Sequence, residues 1–99
     1  MTSAFGHITQ PVPRHWLTAV VTGSGPSQRR QVTVELQEDG QLFLYFWPPG
    51  NHGFISRVHP EKVAAAETKT VQFKRPRTSW RVTLQRDELL VAINRLVKS

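Results

Sequence analysis

The sequence predicts an α+β fold: an antiparallel β-sheet of about five strands packed by a C-terminal α-helix, with a further short helix near 60–67. Three features carry that expectation. Residues 30–37 (RQVTVELQ) alternate apolar and polar side chains at every second position. Two stretches read as strand–turn–strand, one around Asp39-Gly40 and one around Pro76-Arg77-Thr78-Ser79. Beyond the second, residues 86–98 switch to helical spacing. A chain of 99 residues holds one domain, read as 15–99. Residues 1–14 read as an extended N-terminal arm, because two prolines flank Val12 and no periodicity is present.

Residues 15–22 (HWLTAVVT) are apolar and β-branched, the pattern of a strand buried on both faces. Residues 23–27 (GSGPS) form a loop. Within 30–37, Val32, Val34 and Leu36 share one face, and Gln31, Thr33 and Glu35 share the other. Two registers are open for the returning strand, 41–47 (QLFLYFW). A two-residue turn at Asp39-Gly40 sets Phe43, Tyr45 and Trp47 beside the valines. A three-residue loop, Glu38-Asp39-Gly40 with Gly40 at a bulge, sets Leu42, Leu44 and Phe46 there instead. One residue of slip exchanges the two faces.

Residues 48–53 (PPGNHG) form a loop that is stiff at its prolines and permissive at its glycines. Residues 54–58 (FISRV) read as a short strand. Residues 60–67 (PEKVAAAE) read as a helix, with Pro60 in its first turn and alanines favouring the state. It is too short to stand without packing. Residues 69–75 and 80–84 pair as the second hairpin. A two- or a four-residue loop equally sets Arg75 opposite Trp80, so Val71, Phe73, Val82 and Leu84 make one side. Gln72, Lys74, Arg81 and Thr83 make the other. The C-terminal helix buries Leu89, Ile93, Leu96 and Val97 along one stripe, with Leu90 at its flank. Asp87 and Glu88 in its first turn and Arg95 and Lys98 in its last suit the helix dipole.

Several function classes find no support. Without cysteine there is no disulfide and no thiolate metal site. The start, MTSAFGHITQPVPRHW, has no basic region followed by an apolar run, so no signal peptide is expected. The apolar stretches 42–49 and 89–93 fall far short of the ~20 residues of a membrane span. A cytoplasmic location with no membrane contact is the expectation. His7, His15, His52 and His59 match no standard zinc spacing, so neither a metal nor another cofactor is expected. His52, in the Pro/Gly loop, is the histidine best set for a site. The chain has no phosphate-cradling glycine loop, nucleophile elbow or HExxH, and an enzyme is not expected.

Charge is more informative. The formal net charge is +6. Lys69, Lys74, Arg75, Arg77, Arg81 and Arg86 fall within 68–86, which contains no acid; the rest of the chain balances seven basic residues against seven acidic ones. The whole excess therefore lies in one hairpin, the footprint of contact with a polyanion. Lys74 facing Arg81 is a repulsive pair that phosphates would relieve, unless Glu61, Glu67 or Glu88 folds over to neutralise it. The aromatic run Phe43-Leu44-Tyr45-Phe46-Trp47 offers either a ladder for unpaired bases or simply core. Trp80 offers a cation–π partner for Arg75, a stacking platform or a lid on the core.

The run SWRVTLQRDELLVAINRLV, a strand leading into a helix, covers about a fifth of the chain. Together with the several strands and the basic hairpin before it, this layout is similar to the plan of Whirly and Pur-type single-stranded nucleic-acid-binding domains. The short helix at 60–67 departs from that plan.

The leading expectation is a nucleic-acid-binding accessory protein for DNA or RNA, single strands included. Its site would comprise Lys69, Lys74, Arg75, Arg77 and Arg81 for phosphates, with Trp80 and Tyr45 for bases. The alternative is a protein-interaction module that docks a partner through the aromatic strand 42–47. A thin core with spare apolar surface also fits a homodimer or membership of a larger protein complex.

Overall fold

A computed structural model describes residues 12–23, 25–48 and 53–98. The chain runs β1 (Arg14–Gly23), β2 (Gly25–Leu36), β3 (Leu42–Phe46), β4 (Phe54–Val58), α1 (Pro60–Ala64), β5 (Thr70–Lys74), β6 (Arg81–Gln85) and α2 (Arg86–Lys98). The strands form one sheet in the order β4-β3-β2-β1-β6-β5, and every neighbouring pair is antiparallel. β4 comes up against β5, so the sheet curls nearly into a barrel. At that seam the Arg75 Nε donates to the Phe54 carbonyl at 3.3 Å.

The fold class is as the sequence predicts, but six strands pair rather than about five. Phe54–Val58 is a full member, paired with β3 from Leu42↔Val58 to Tyr45↔Phe54 across a bulge. The 23–27 loop is mostly strand: β2 starts at Gly25, whose φ of 97° suits glycine, and the β1–β2 ladder runs out to Gly23↔Gly25. Of the 1–14 arm, Arg14 already belongs to β1. The Pro13 carbonyl accepts the Leu36 N–H at 3.1 Å, and residues 1–11 lie outside the described residues.

The sequence leaves the β2–β3 register open, and the turn decides it. Gln37 N–H bonds the Gln41 carbonyl at 2.9 Å and Gly40 N–H bonds the Gln37 carbonyl at 3.0 Å, closing a three-residue loop over Glu38-Asp39-Gly40. Gly40 has φ 87°, and Asp39 Oδ1 accepts the Gln41 N–H at 2.9 Å. Leu42, Leu44 and Phe46 therefore lie opposite Leu36, Val34 and Val32, and all three are buried.

β1 is not buried on both faces. Ala19 and Val21 are buried and Leu17 half-buried, whereas Arg14, Trp16, Thr18 and Val20 are exposed. The reason is that α2 covers a single face of the sheet, so one residue in two finds a cover. That inner face holds the core: Ala19, Val32, Val34, Leu44, Phe46, Ile55, Val82 and Leu84 beneath Leu89, Ile93 and Leu96 of α2. α2 buries Leu89, Ala92, Ile93 and Leu96, while Val97, expected in the stripe, is 63% exposed. Ala92 completes the i, i+3, i+4, i+7 row and Val97 falls past its margin.

α1 ends at Ala64 rather than at residue 67. Val63 is its sole buried side chain, and a helix so weakly packed does not propagate. Among the described residues no helix is long and apolar enough to cross a membrane.

Candidate functional site

The β5–β6 hairpin has the register its loop length requires. Arg75 N–H bonds the Trp80 carbonyl at 3.0 Å, and the ladder continues with Lys74↔Arg81, Phe73↔Val82, Gln72↔Thr83 and Val71↔Leu84. Phe73, Val82 and Leu84 are buried in the core. Lys74 and Arg81 therefore project side by side from the outer face, both exposed. Thr78 ties the turn: its N–H and its hydroxyl reach the Arg75 carbonyl, and its Oγ1 accepts the Trp80 N–H at 3.1 Å. Arg77 at the tip has φ 61°, a left-handed conformation rare for a residue with a Cβ.

The structure divides the cations of the hairpin. Lys74 and Arg81 stand together and Arg77 lies at the tip. Lys69 is exposed at the opposite end, where its carbonyl accepts the Arg86 N–H at 2.8 Å. Arg75 is taken up by the fold. Its guanidinium lies 5.5 Å from the Phe46 ring and 5.3 Å from the Trp80 ring, and its Nε binds the β4 backbone.

No Asp or Glu side chain folds over this cluster. All seven Asp and Glu residues are described, and none comes within 4.0 Å of the cationic groups of Lys69, Lys74, Arg75, Arg77 or Arg81. Glu61 lies 3.8 Å from His59, and Asp87 lies 3.2 Å from Arg86. Arg86 also donates to the Ala66 carbonyl at 2.8 Å, which ties α2 to the segment after α1.

Of the two aromatics expected to stack, Tyr45 is buried and Trp80 is half-buried. Tyr45 is 5% exposed, and its hydroxyl donates to Glu35 Oε2. Burial first, and then that hydrogen bond, push the phenol pKa above its ordinary value, with Arg14 pulling the other way. Trp80 is half-buried against the core, edge-on to Phe46 at 6.4 Å. Gly23 makes room for it, since a Cβ there would sit 2.5 Å from Trp80 Cδ1. Trp80 is thus a lid, and neither ring presents a free face like those of the exposed tryptophans described next.

Sequence reasoning missed the rest of the outer face. The pairs Trp16↔Thr33, Thr33↔Tyr45 and Tyr45↔Phe54 put those residues in one row across β1 to β4. The next row holds Arg14, Glu35, Phe43 and Arg57. Farther along β1, Val20 pairs with Arg29 and Thr83, and Thr22 pairs with Arg81. The outer face thus carries Arg14, Arg29, Arg57, Lys74 and Arg81 against one acid, Glu35, whose two oxygens accept from Tyr45 and, at 3.3 Å, from Gln37. Trp16 is 53% exposed and Trp47 is 41% exposed, and their rings meet at 6.1 Å. The signal that locates Trp16 is the alternation Arg14, Trp16, Thr18 against Leu17, Ala19, Val21.

Among the described residues no three His, Asp or Glu side chains gather in a way that could hold a metal ion, and His7 and His52 lie outside them. Set against protein-family models, curated proteins and solved structures, the chain matches none of them.

Proposed function

We propose that the protein binds nucleic acid through the outer face of its sheet, with Lys74 and Arg81 as the central phosphate contacts. The observation that carries this reading is the facing pair itself. Two like charges directly opposite on antiparallel strands repel, and no Asp or Glu carboxylate lies within ion-pairing distance of either. Phosphates laid across the two strands, one to each cation, turn repulsion into two charge-assisted contacts and release counterions. Arg29 lies one row along, and Arg14 and Arg57 lie at the far end of the same face, so the positive field extends along β1 and across the sheet. Lys69 and Arg77 flank the hairpin as outlying contacts.

The rival reading, a partner docked on strand 42–47, has less surface to use. Leu42, Leu44, Tyr45 and Phe46 are buried and Phe43 is half-buried, leaving Trp47 alone exposed in that run.

The test is a fluorescence-anisotropy titration with labelled oligonucleotides over a range of salt concentrations. Affinity should fall steeply with salt. The double variant Lys74→Ala/Arg81→Ala should weaken binding and reduce the log–log salt slope by about two, roughly one for each phosphate that is no longer neutralised, while its unfolding curve stays in place. Salt-insensitive binding, or none at low salt, rules the reading out.

A further inference from the structure

The structure has three tryptophans in two different settings. Trp80 is packed on the core, whereas Trp16 and Trp47 meet on the basic face and keep much of their ring surface in water. Trp16 leaves β1 opposite Thr33, and Trp47 follows β3 two residues after Tyr45, so both rise over the middle of β2. The Arg14 guanidinium lies 6.0 Å from the Trp47 ring centroid. Thr33, paired with both Trp16 and Tyr45 on this face, is fully buried, and its Oγ1 has no partner.

We infer that Trp16 and Trp47, with Arg14, form a stacking site for the unpaired bases of a single strand. This rests on the nucleic-acid reading above and adds strand selectivity to it. The cations alone would accept any polyanion, duplex included, because phosphates are common to all. Exposed indole faces are different: a duplex keeps its base faces stacked inside, and a single strand can turn them onto the protein. The chemistry also argues against an apolar protein partner here. The sheet face that carries the two rings holds five cations and a single, hydrogen-bonded carboxylate, which complements a chain of phosphates.

Geometry fixes the mode. A base sandwiched between two rings needs them about 7 Å apart, twice the roughly 3.5 Å contact distance. The Trp16 and Trp47 centroids are 6.1 Å apart with planes tilted by 41°. Bases therefore stack on the free faces rather than between the rings, and Arg14 takes an adjoining phosphate. From Trp16 to Thr22, which pairs with Arg81, is six residues of strand, or about 20 Å. One extended strand can cover both the rings and the Lys74–Arg81 pair.

The test compares a short oligothymidylate with a duplex of the same length at one low salt concentration. The wild type should prefer the single strand at least tenfold, and its tryptophan emission should be quenched by the single strand alone. Trp16→Ala and Trp47→Ala should each lose roughly 5- to 100-fold in single-strand affinity and leave duplex affinity unchanged; Trp16→Leu and Trp47→Leu, which keep apolar bulk, should do the same. If single strand and duplex bind alike and the tryptophan variants weaken neither or both equally, strand selectivity fails while phosphate binding stands. If neither nucleic acid binds at low salt, both readings fail.

Discussion

The two faces of the sheet use the same pairing, arginine over an aromatic ring, for opposite ends. On the inner side Arg30 lies 4.2 Å from the Phe46 ring, and Arg75 lies against Phe46 and Trp80; both arginines are half-buried, and Arg75 closes the seam of the curled sheet. On the outer side Arg57 lies 5.5 Å from Phe43 and Arg14 lies 6.0 Å from Trp47, and both are exposed. The contact is alike; burial differs. Inside, the half-buried guanidinium of Arg75 is held by two rings and the Phe54 carbonyl, whereas outside Arg57 and Arg14 stand exposed, where a ligand can reach them. Sequence counts both as basic residues, and only the fold separates those that hold it together from those it presents.

The sharpest way to break this contrast is a truncation on each face. Leu44→Ala removes a fully buried side chain and should cost about 2–5 kcal/mol, whereas Trp16→Ala should cost about 1 kcal/mol or less. Chemical denaturation of the two variants measures both, and equal costs would mean that the outer face is also core.

A smaller effect, of opposite sign, is expected where a polar atom is buried beneath the outer face. Thr33→Val exchanges the unpartnered Oγ1 for a methyl group of similar shape, and should raise stability by about 1 kcal/mol. A loss on thermal unfolding would show that the hydroxyl has a partner.

Lys74→Glu should trade function for stability. It sets a carboxylate opposite Arg81 and should stabilise the hairpin by ~0.2–1 kcal/mol while weakening oligonucleotide binding. If both quantities fall together, the pair is part of the scaffold rather than a site.

The smallest effect is confined to alkaline buffer. With its phenol pKa raised by burial and by Glu35, Tyr45 loses its proton sooner in the unfolded chain than in the folded one. Its contribution is complete below the ordinary tyrosine range, about 10, and is lost as pH rises towards and through the raised folded value. Tyr45→Phe should shrink the gap between unfolding midpoints in neutral and strongly alkaline buffer. An unchanged gap would assign the alkaline loss to other groups.

Local pattern made part of this legible. The β5–β6 hairpin, its apolar and cationic sides and the C-terminal helix follow from the residues because two- and four-residue turns give one register. The β2–β3 register did not follow, since Asp39-Gly40 suits two turn geometries of opposite face parity, and tertiary packing of Leu42, Leu44 and Phe46 accompanies the one adopted. Tyr45 and Trp80 read as candidate platforms because an aromatic looks the same in sequence whether it covers a core or meets water. Trp16 was obscured for a related reason: both faces of β1 carry apolar residues, Trp16 and Val20 on one and Leu17, Ala19 and Val21 on the other, so the alternation is muted.

Backbone and indole NMR shifts, followed while a short oligothymidylate is added at low salt, test most directly which face meets the ligand. The account predicts changes at Arg14, Trp16, Arg29, Trp47, Lys74 and Arg81, with Trp80 and the exposed side of α2 still. Changes centred on α2, or none anywhere on the outer face, would contradict it.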